Sequence, residues 1–94
     1  MRMVLASPES GFLNNIHISY SELIEMRKRR NYQIYRVYEM SDSQARLRIS
    51  ENLQDFATKI IDVLDKLPDQ IFPKSVSLSP SLLKFGDEIP IKLT

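Results

Sequence analysis

The chain has 94 residues, 43% hydrophobic and 27% charged, with thirteen basic against twelve acidic side chains for a net charge of +1. That length supports one hydrophobic core, and the composition is that of a globular domain. The charge balance excludes an overall polycationic nucleic-acid binder while leaving room for a local basic patch. The absence of cysteine excludes disulfides, zinc knuckles and thiol catalysis, and a single histidine, His17, excludes multi-histidine metal sites. Gly11 and Gly86, the only glycines, are too far apart for a phosphate-binding loop or a dinucleotide fingerprint. No apolar run approaches the ~18 residues of a membrane span, and the stretch after Arg2 is too short for a secretory signal. The expectation is a cytoplasmic protein, or a nuclear one in a eukaryote, with no membrane partner.

In chain order, Arg2 to Ala6 reads as a short strand, Ser7 to Gly11 as a loop, and Asn15 to Ile18 as a second extended piece. Ser19 followed by Glu22 has the spacing of a capping box. Tyr20, Leu23, Ile24 and the stem of Arg27 then share one face of a helix, with Arg27-Lys28-Arg29-Arg30 in its last turn and Asn31 as its stop. Tyr32 to Met40, rich in aromatic and branched residues, is the strongest strand, apolar on both faces and so expected to be central and covered on both sides. Ser41 to Gln44 turns the chain into Ala45–Ile49, the antiparallel partner. A four-residue loop sets Met40 against Ala45 and Glu39 against Arg46, an opposite-charge pair that supports the register. That register puts Leu47, Ile49, Tyr38 and Ile34 on one face, with Arg36 among them.

Asn52 and Asp55 open a second helix whose apolar stripe is Leu53, Phe56, Ala57, Ile60, Val63, Leu64 and Leu67, and Pro68 ends it. Asp69 to Pro73 is a linker and Ser75 to Ser79 a strand. Ser79 caps a helical turn at Pro80, and Ile89 to Leu93 is a last strand, at a sheet edge because Pro90 lacks a donor. The fold class is α+β: a small mixed sheet with two main helices, at about residues 20–30 and 53–67, in the order β-β-α-β-β-α-β-β.

The stretch Ile16-His17-Ile18-Ser19-Tyr20-Ser21-Glu22-Leu23, followed by Asn31-Tyr32-Gln33-Ile34-Tyr35-Arg36-Val37-Tyr38, resembles the C-terminal domain family named after the plant protein NO VEIN. The resemblance implies a nuclease-like fold of the PD-(D/E)xK type and an association with DNA restriction, defence or helicase systems. It also implies a Glu-x-Lys on the strand before the Ser/Thr-x-x-Glu helix, where this chain has Met3 and Leu5. A methionine and a leucine can neither ligate Mg²⁺ nor position an attacking water. No catalytic residue and no metal ligand is therefore expected, and Mg²⁺ enters only if an upstream catalytic half exists. The chain reads as a single unit, 1–94, either degenerate or the C-terminal part of a larger nuclease-like domain.

The candidate nucleic-acid contacts are Arg27, Lys28, Arg29 and Arg30, extended by Arg46 and Arg48 on one strand face. The plainer account of the run is a solvated helix end that complements the helix dipole. Glu22 is a capping residue or a carboxylate supporting a site. Arg36, in the covered hairpin, needs a partner, for which Glu22 is the candidate, or else faces a ligand. His17 stands alone and reads as structural, and Tyr20, Tyr32, Tyr35 and Tyr38 read as core before base-stacking residues. Two functions follow: a non-catalytic nucleic-acid-associated domain, or a protein-interaction module that pairs with itself or with the remainder of a larger protein through its second helix.

Overall fold

In the computed structural model, residues 2–7, as backbone, and 11–93 are described. The elements are β1 (Arg2–Ser7), β2 (Ile16–Ser19), α1 (Tyr20–Lys28), β3 (Gln33–Tyr38), β4 (Gln44–Ile49), α2 (Gln54–Asp65), β5 (Ser75–Leu78), a 3₁₀ turn (Pro80–Leu82) and β6 (Ile89–Lys92). The α+β class and the element order agree with the sequence. The strands divide between two sheets: a mixed four-stranded one in the order β1-β3-β4-β6, and a separate antiparallel pair of β2 with β5. β1 runs parallel to β3, as a crossover through α1 requires, while β4 and β6 follow antiparallel. The loop expected at Ser7–Gly11 falls largely on residues 8–10, outside the described part, as do the side chains of Met3 and Leu5.

Helix α1 starts on the capping box. The Ser19 hydroxyl accepts from the Glu22 amide at 3.1 Å, and the Glu22 carboxylate accepts from the Ser19 amide at 2.8 Å. The helix ends earlier than its basic run: Arg29 is an extended C-cap, so Arg30 lies outside the helix. Helix α2 is also shorter than its apolar stripe, ending at Asp65 with Lys66 as cap. Its N-cap position is the buried Leu53, whose side chain caps nothing, and the Asn52 carboxamide accepts the Gln54 amide in its place.

The core gathers Ile16, Ile18, Leu23, Met26, Ile34, Leu53, Ala57 and Ile61, all at most 1% exposed, with Tyr32, Leu78 and Leu83 around them. Helix α2 keeps most of its expected stripe, with Phe56, Ile60 and Leu64 packed against the core, but Ile61 joins it and Val63 drops out. Leu53, Ala57 and Ile61, spaced four apart, face inward, while Val63 is 60% exposed. Similarly Met26, absent from the expected stripe of α1, is fully buried. The stripe of α2 is wide enough to fit two phases, and packing on α1 selects the i, i+4, i+8 row.

The β3–β4 register corrects the expected one by a single residue. Tyr38 pairs with Arg46, Val37 with Leu47, and Arg36 with Arg48. Glu39 is the cause: its φ of 50° takes the chain out of the strand one residue before Met40. A one-residue slip moves every side chain to the other face. Arg46, Arg48 and Ser50 therefore share the face of Ile34, Arg36 and Tyr38, while Leu47 and Ile49 lie opposite with Tyr35 and Val37. Those last four lie outside the core and are half-buried, so β3 is central in the sheet but deeply covered on one face only. Strand β6 lies at the edge, as Pro90 dictates.

The phase of α2 is testable by substitution. Ile61→Ala should cost about 2–5 kcal/mol, since it empties a fully buried site. Val63→Ala should stay within about 0.5 kcal/mol. Urea denaturation of the two variants checks this, and equal losses would contradict the placement of Ile61 inside the core and Val63 outside it.

Candidate functional site

Where β3 and β4 leave the helices behind, their core-side face turns polar and aromatic. Tyr38 is 4% exposed, and its hydroxyl donates to Glu88 Oε1 at 2.6 Å. Arg46 holds two carboxylates: its Nε lies 2.8 Å from Glu39, and its Nη1 bonds the second oxygen of Glu88. The Glu39–Arg46 pair expected from the sequence thus forms across a register shifted by one, because a long side chain spans a diagonal. The Tyr38 hydroxyl, first, and then Arg46 hold the Glu88 carboxyl below its ordinary value. Burial and then the Glu88 bond push the Tyr38 phenol up to about 12.

The Phe12 ring organises the same region. It packs 5.4 Å from Tyr38, meets Phe85 edge-on at 4.9 Å, and carries the Arg48 guanidinium 4.2 Å above it. Arg48 also donates from Nε to the Gly86 carbonyl at 2.8 Å. Phe12 lies between β1 and β2 and has no periodic pattern around it, so its role was not legible in the sequence.

Beside it lies Arg36, buried at 3% exposure. The expected pairing with Glu22 does not form: that carboxylate is taken by the α1 cap, and Arg36 donates from Nη2 to the Asn14 carbonyl at 2.9 Å. Its Nε is buried without a partner, and burial lowers the pKa of the group.

The run Arg27, Lys28, Arg29 and Arg30 lies elsewhere, at the C-terminal end of α1, and all four are exposed. Arg29 pairs with Glu25 one turn back at 3.4 Å. The backbone carbonyls of Arg27 and Arg30 accept from the Gln54 and Asn52 side chains, tying this end to the start of α2. Arg46 and Arg48 sit on the sheet with partners of their own, so the two halves of the expected basic surface rest on different elements. His17 is exposed on β2 opposite Ser77. Among the described residues, no group of three or more histidine or acidic side chains is placed to hold a metal ion, and no helix is long and apolar enough to cross a membrane.

At the other end of the helix pair is a surface of which the sequence reading held only the helix part, Leu64 and Leu67. Tyr20, Leu64, Leu67, Ile71 and Phe72 line an open apolar groove where α2 runs into the Pro68–Pro73 linker. Phe72 is 79% exposed and Ile71 52%. Asp65 lines the same groove and accepts from the Tyr20 hydroxyl at 3.1 Å, which raises the tyrosine's pKa. The linker composition concealed this surface, because the flanking prolines and acids read as loop.

No protein-family model matches this chain, and no curated protein or solved structure is significantly similar to it.

The alkaline limb of stability should expose Tyr38. Its folded pKa is raised from 10.0 to about 12, so the folded state holds its proton longer than the unfolded chain. The stabilisation is complete below pH 10 and is lost as pH rises from there towards 12. Tyr38→Phe should remove that part of the alkaline decline in a series of thermal melts. An identical decline in the variant would show that Tyr38 does not titrate in this way.

Proposed function

We propose that the chain is a non-catalytic protein-interaction module that associates with a second copy of itself through the outer side of its helix pair. The observation that carries the reading is the apolar groove ending in Phe72. Exposed single apolar residues are ordinary, but Leu67, Ile71 and Phe72 cluster within six residues of chain around one groove.

Charge points to the occupant. The charged side chains that line the groove are the acids Asp65 and Asp69, Asp62 stands with Asp65 in the last turn of α2, and that turn carries no basic residue. Acids at a helix C-terminus oppose the helix dipole, so a cation brought there by a partner is favoured twice over. The chain supplies such cations at the opposite end of the same helix pair, in Arg27 and Arg30. Arg27, seven residues after Tyr20, projects from the same side of α1 as the tyrosine that lines the groove. A two-fold arrangement sets the acidic, apolar end of each copy against the basic end of the other, the self-complementary contact typical of dimers. A standard interface takes ~800 Å² from each partner, about an eighth of the 6464 Å² exposed here.

The test uses reciprocal charge reversal. Sedimentation velocity should show Arg27→Glu/Arg30→Glu and Asp62→Lys/Asp69→Lys each self-associating at least tenfold more weakly than the parent chain. An equimolar mixture of the two should recover the association. A monomeric parent at high micromolar concentration, or variants that associate as the parent does, would reject the reading.

A second reading has its own support. Arg27, Lys28 and Arg30 are exposed at one end of the molecule, and among the described residues the run forms a single ion pair, at Arg29. With the resemblance to NO VEIN C-terminal domains, this favours weak, sequence-independent contact with nucleic-acid phosphates. Fluorescence anisotropy with duplex DNA should then show affinity that falls steeply with salt and is lost in Arg27→Glu/Arg30→Glu. Binding unchanged by that substitution would exclude this surface.

A further inference from the structure

Arg36 is the one charged side chain buried among the described residues. A guanidinium has five donors, and here one hydrogen bond is formed, from Nη2 to the Asn14 carbonyl, while the buried Nε has no partner. A cation taken out of water without a carboxylate is among the most unfavourable arrangements a fold can hold. Among the described residues, the acids of this region do not relieve it. Glu88 is shared by Tyr38 and Arg46, Glu39 is paired with Arg46, and Glu22 is consumed by the α1 cap.

The neighbour across the strand sharpens the imbalance. Arg36 pairs in register with Arg48, so two like charges face each other on the same side of the sheet, a pairing that strands ordinarily avoid. Arg48 spends its Nε on the Gly86 carbonyl and lies over Phe12, and among the described residues its terminal nitrogens form no hydrogen bond. Two guanidiniums at paired positions on one sheet face, with no acid bonded to either among the described residues, suit oxyanion recognition, in which each planar fork offers paired donors.

The location fits the same conclusion. Both arginines lie towards the C-terminal end of the parallel pair β1–β3, the end at which open sheets with parallel strands hold their ligands. Among the described residues, the segment Gly11–Asn15 lies against Arg36 through the Asn14 carbonyl, with Phe12 packed on the neighbouring side chains and Leu13 76% exposed.

We propose that Arg36 and Arg48, beneath the Phe12 segment, form a binding site for a small oxyanion, a phosphate or carboxylate group. Arg36 supplies the buried charge and Arg48 the accessible fork, while the Phe12 ring holds the Arg48 guanidinium in place.

The experiment follows the arginine Nε–Hε resonances by ¹⁵N NMR while inorganic phosphate or, separately, acetate is added at constant ionic strength against chloride. Saturable shifts of the Arg36 and Arg48 signals with one oxyanion and not with chloride are expected, and the arm that saturates at lower concentration identifies the preferred group. Arg36→Lys assigns the buried signal. Arg48→Met, at a half-exposed position, should fold and should weaken the response at least tenfold, so the proposal is testable even if Arg36 variants do not fold. The absence of a saturable shift in both arms would overturn the proposal, as would an undiminished response in Arg48→Met.

Discussion

Strand β3 must be hydrogen-bonded along its whole length while its neighbour turns away into a helix, and Ser50 meets that constraint. The register of β3 and β4 brings Ser50 opposite Ile34, where β4 has just ended. The Ser50 amide donates to the Ile34 carbonyl at 2.9 Å, but the return bond goes to the serine hydroxyl, which accepts the Ile34 amide at 2.7 Å. The Ser50 carbonyl is thereby released to accept from the Gln33 side chain, and the hydroxyl donates to the Glu51 carbonyl. No buried backbone group of this junction is left without a partner, which in the interior would cost more than a hydrogen bond gains. Three residues later the Leu53 amide reaches the Tyr32 carbonyl, and α2 starts with Leu53 fully buried. The position of α2 on α1, and with it the core, follows from this substitution of a hydroxyl for a carbonyl.

The same dependence explains what could be read from the sequence. Local signals were legible where one residue type has one physical use: the Ser19–Glu22 box, Ser79 ahead of Pro80, and Pro90 at an edge. The β3–β4 hairpin was legible as a hairpin, but its register was not, because nothing in a glutamate marks it for the left-handed conformation that Glu39 adopts. One residue of error there moved Arg48 from the outer face to the face of Arg36. The phase of α2 was hidden for a different reason: Phe56, Ile60, Ile61, Val63 and Leu64 offer more apolar positions than one core-facing row needs. Only contact with α1 decides among them, and that information lies in another element.

Of the side chains singled out beforehand, Arg36 is buried in the hairpin as expected, though on a carbonyl and not on Glu22. The basic run keeps its exposure but not its helix, since Arg29 and Arg30 fall at and beyond the cap. Arg46 and Arg48, read as an extension of that run, belong to the aromatic cluster around Phe12 and Tyr38. The apolar groove at Phe72 left a periodic trace only in Leu64 and Leu67, because its other apolar residues come from an irregular linker and from another helix. Patterns report surfaces built on one element far better than surfaces built where two elements meet.

The pairing of β2 with β5 has a kinetic side. Ile16 lies opposite Leu78 and Ser19 opposite Ser75, so this small sheet closes a loop that contains both helices and the central hairpin. The hairpin joins neighbours in sequence and is of the kind that forms in ~1–10 μs, whereas the β2–β5 contact must first overcome the entropy of bringing distant segments together. The short sheet is thus placed to zip last, onto a helix pair already docked. The bond from the Tyr20 amide to the Lys74 carbonyl, at 2.7 Å, ties that late event to the first residue of α1. A chain stalled just before this step would present the apolar edges of both short strands to solvent, the stage of folding at which such a protein is most exposed to aggregation.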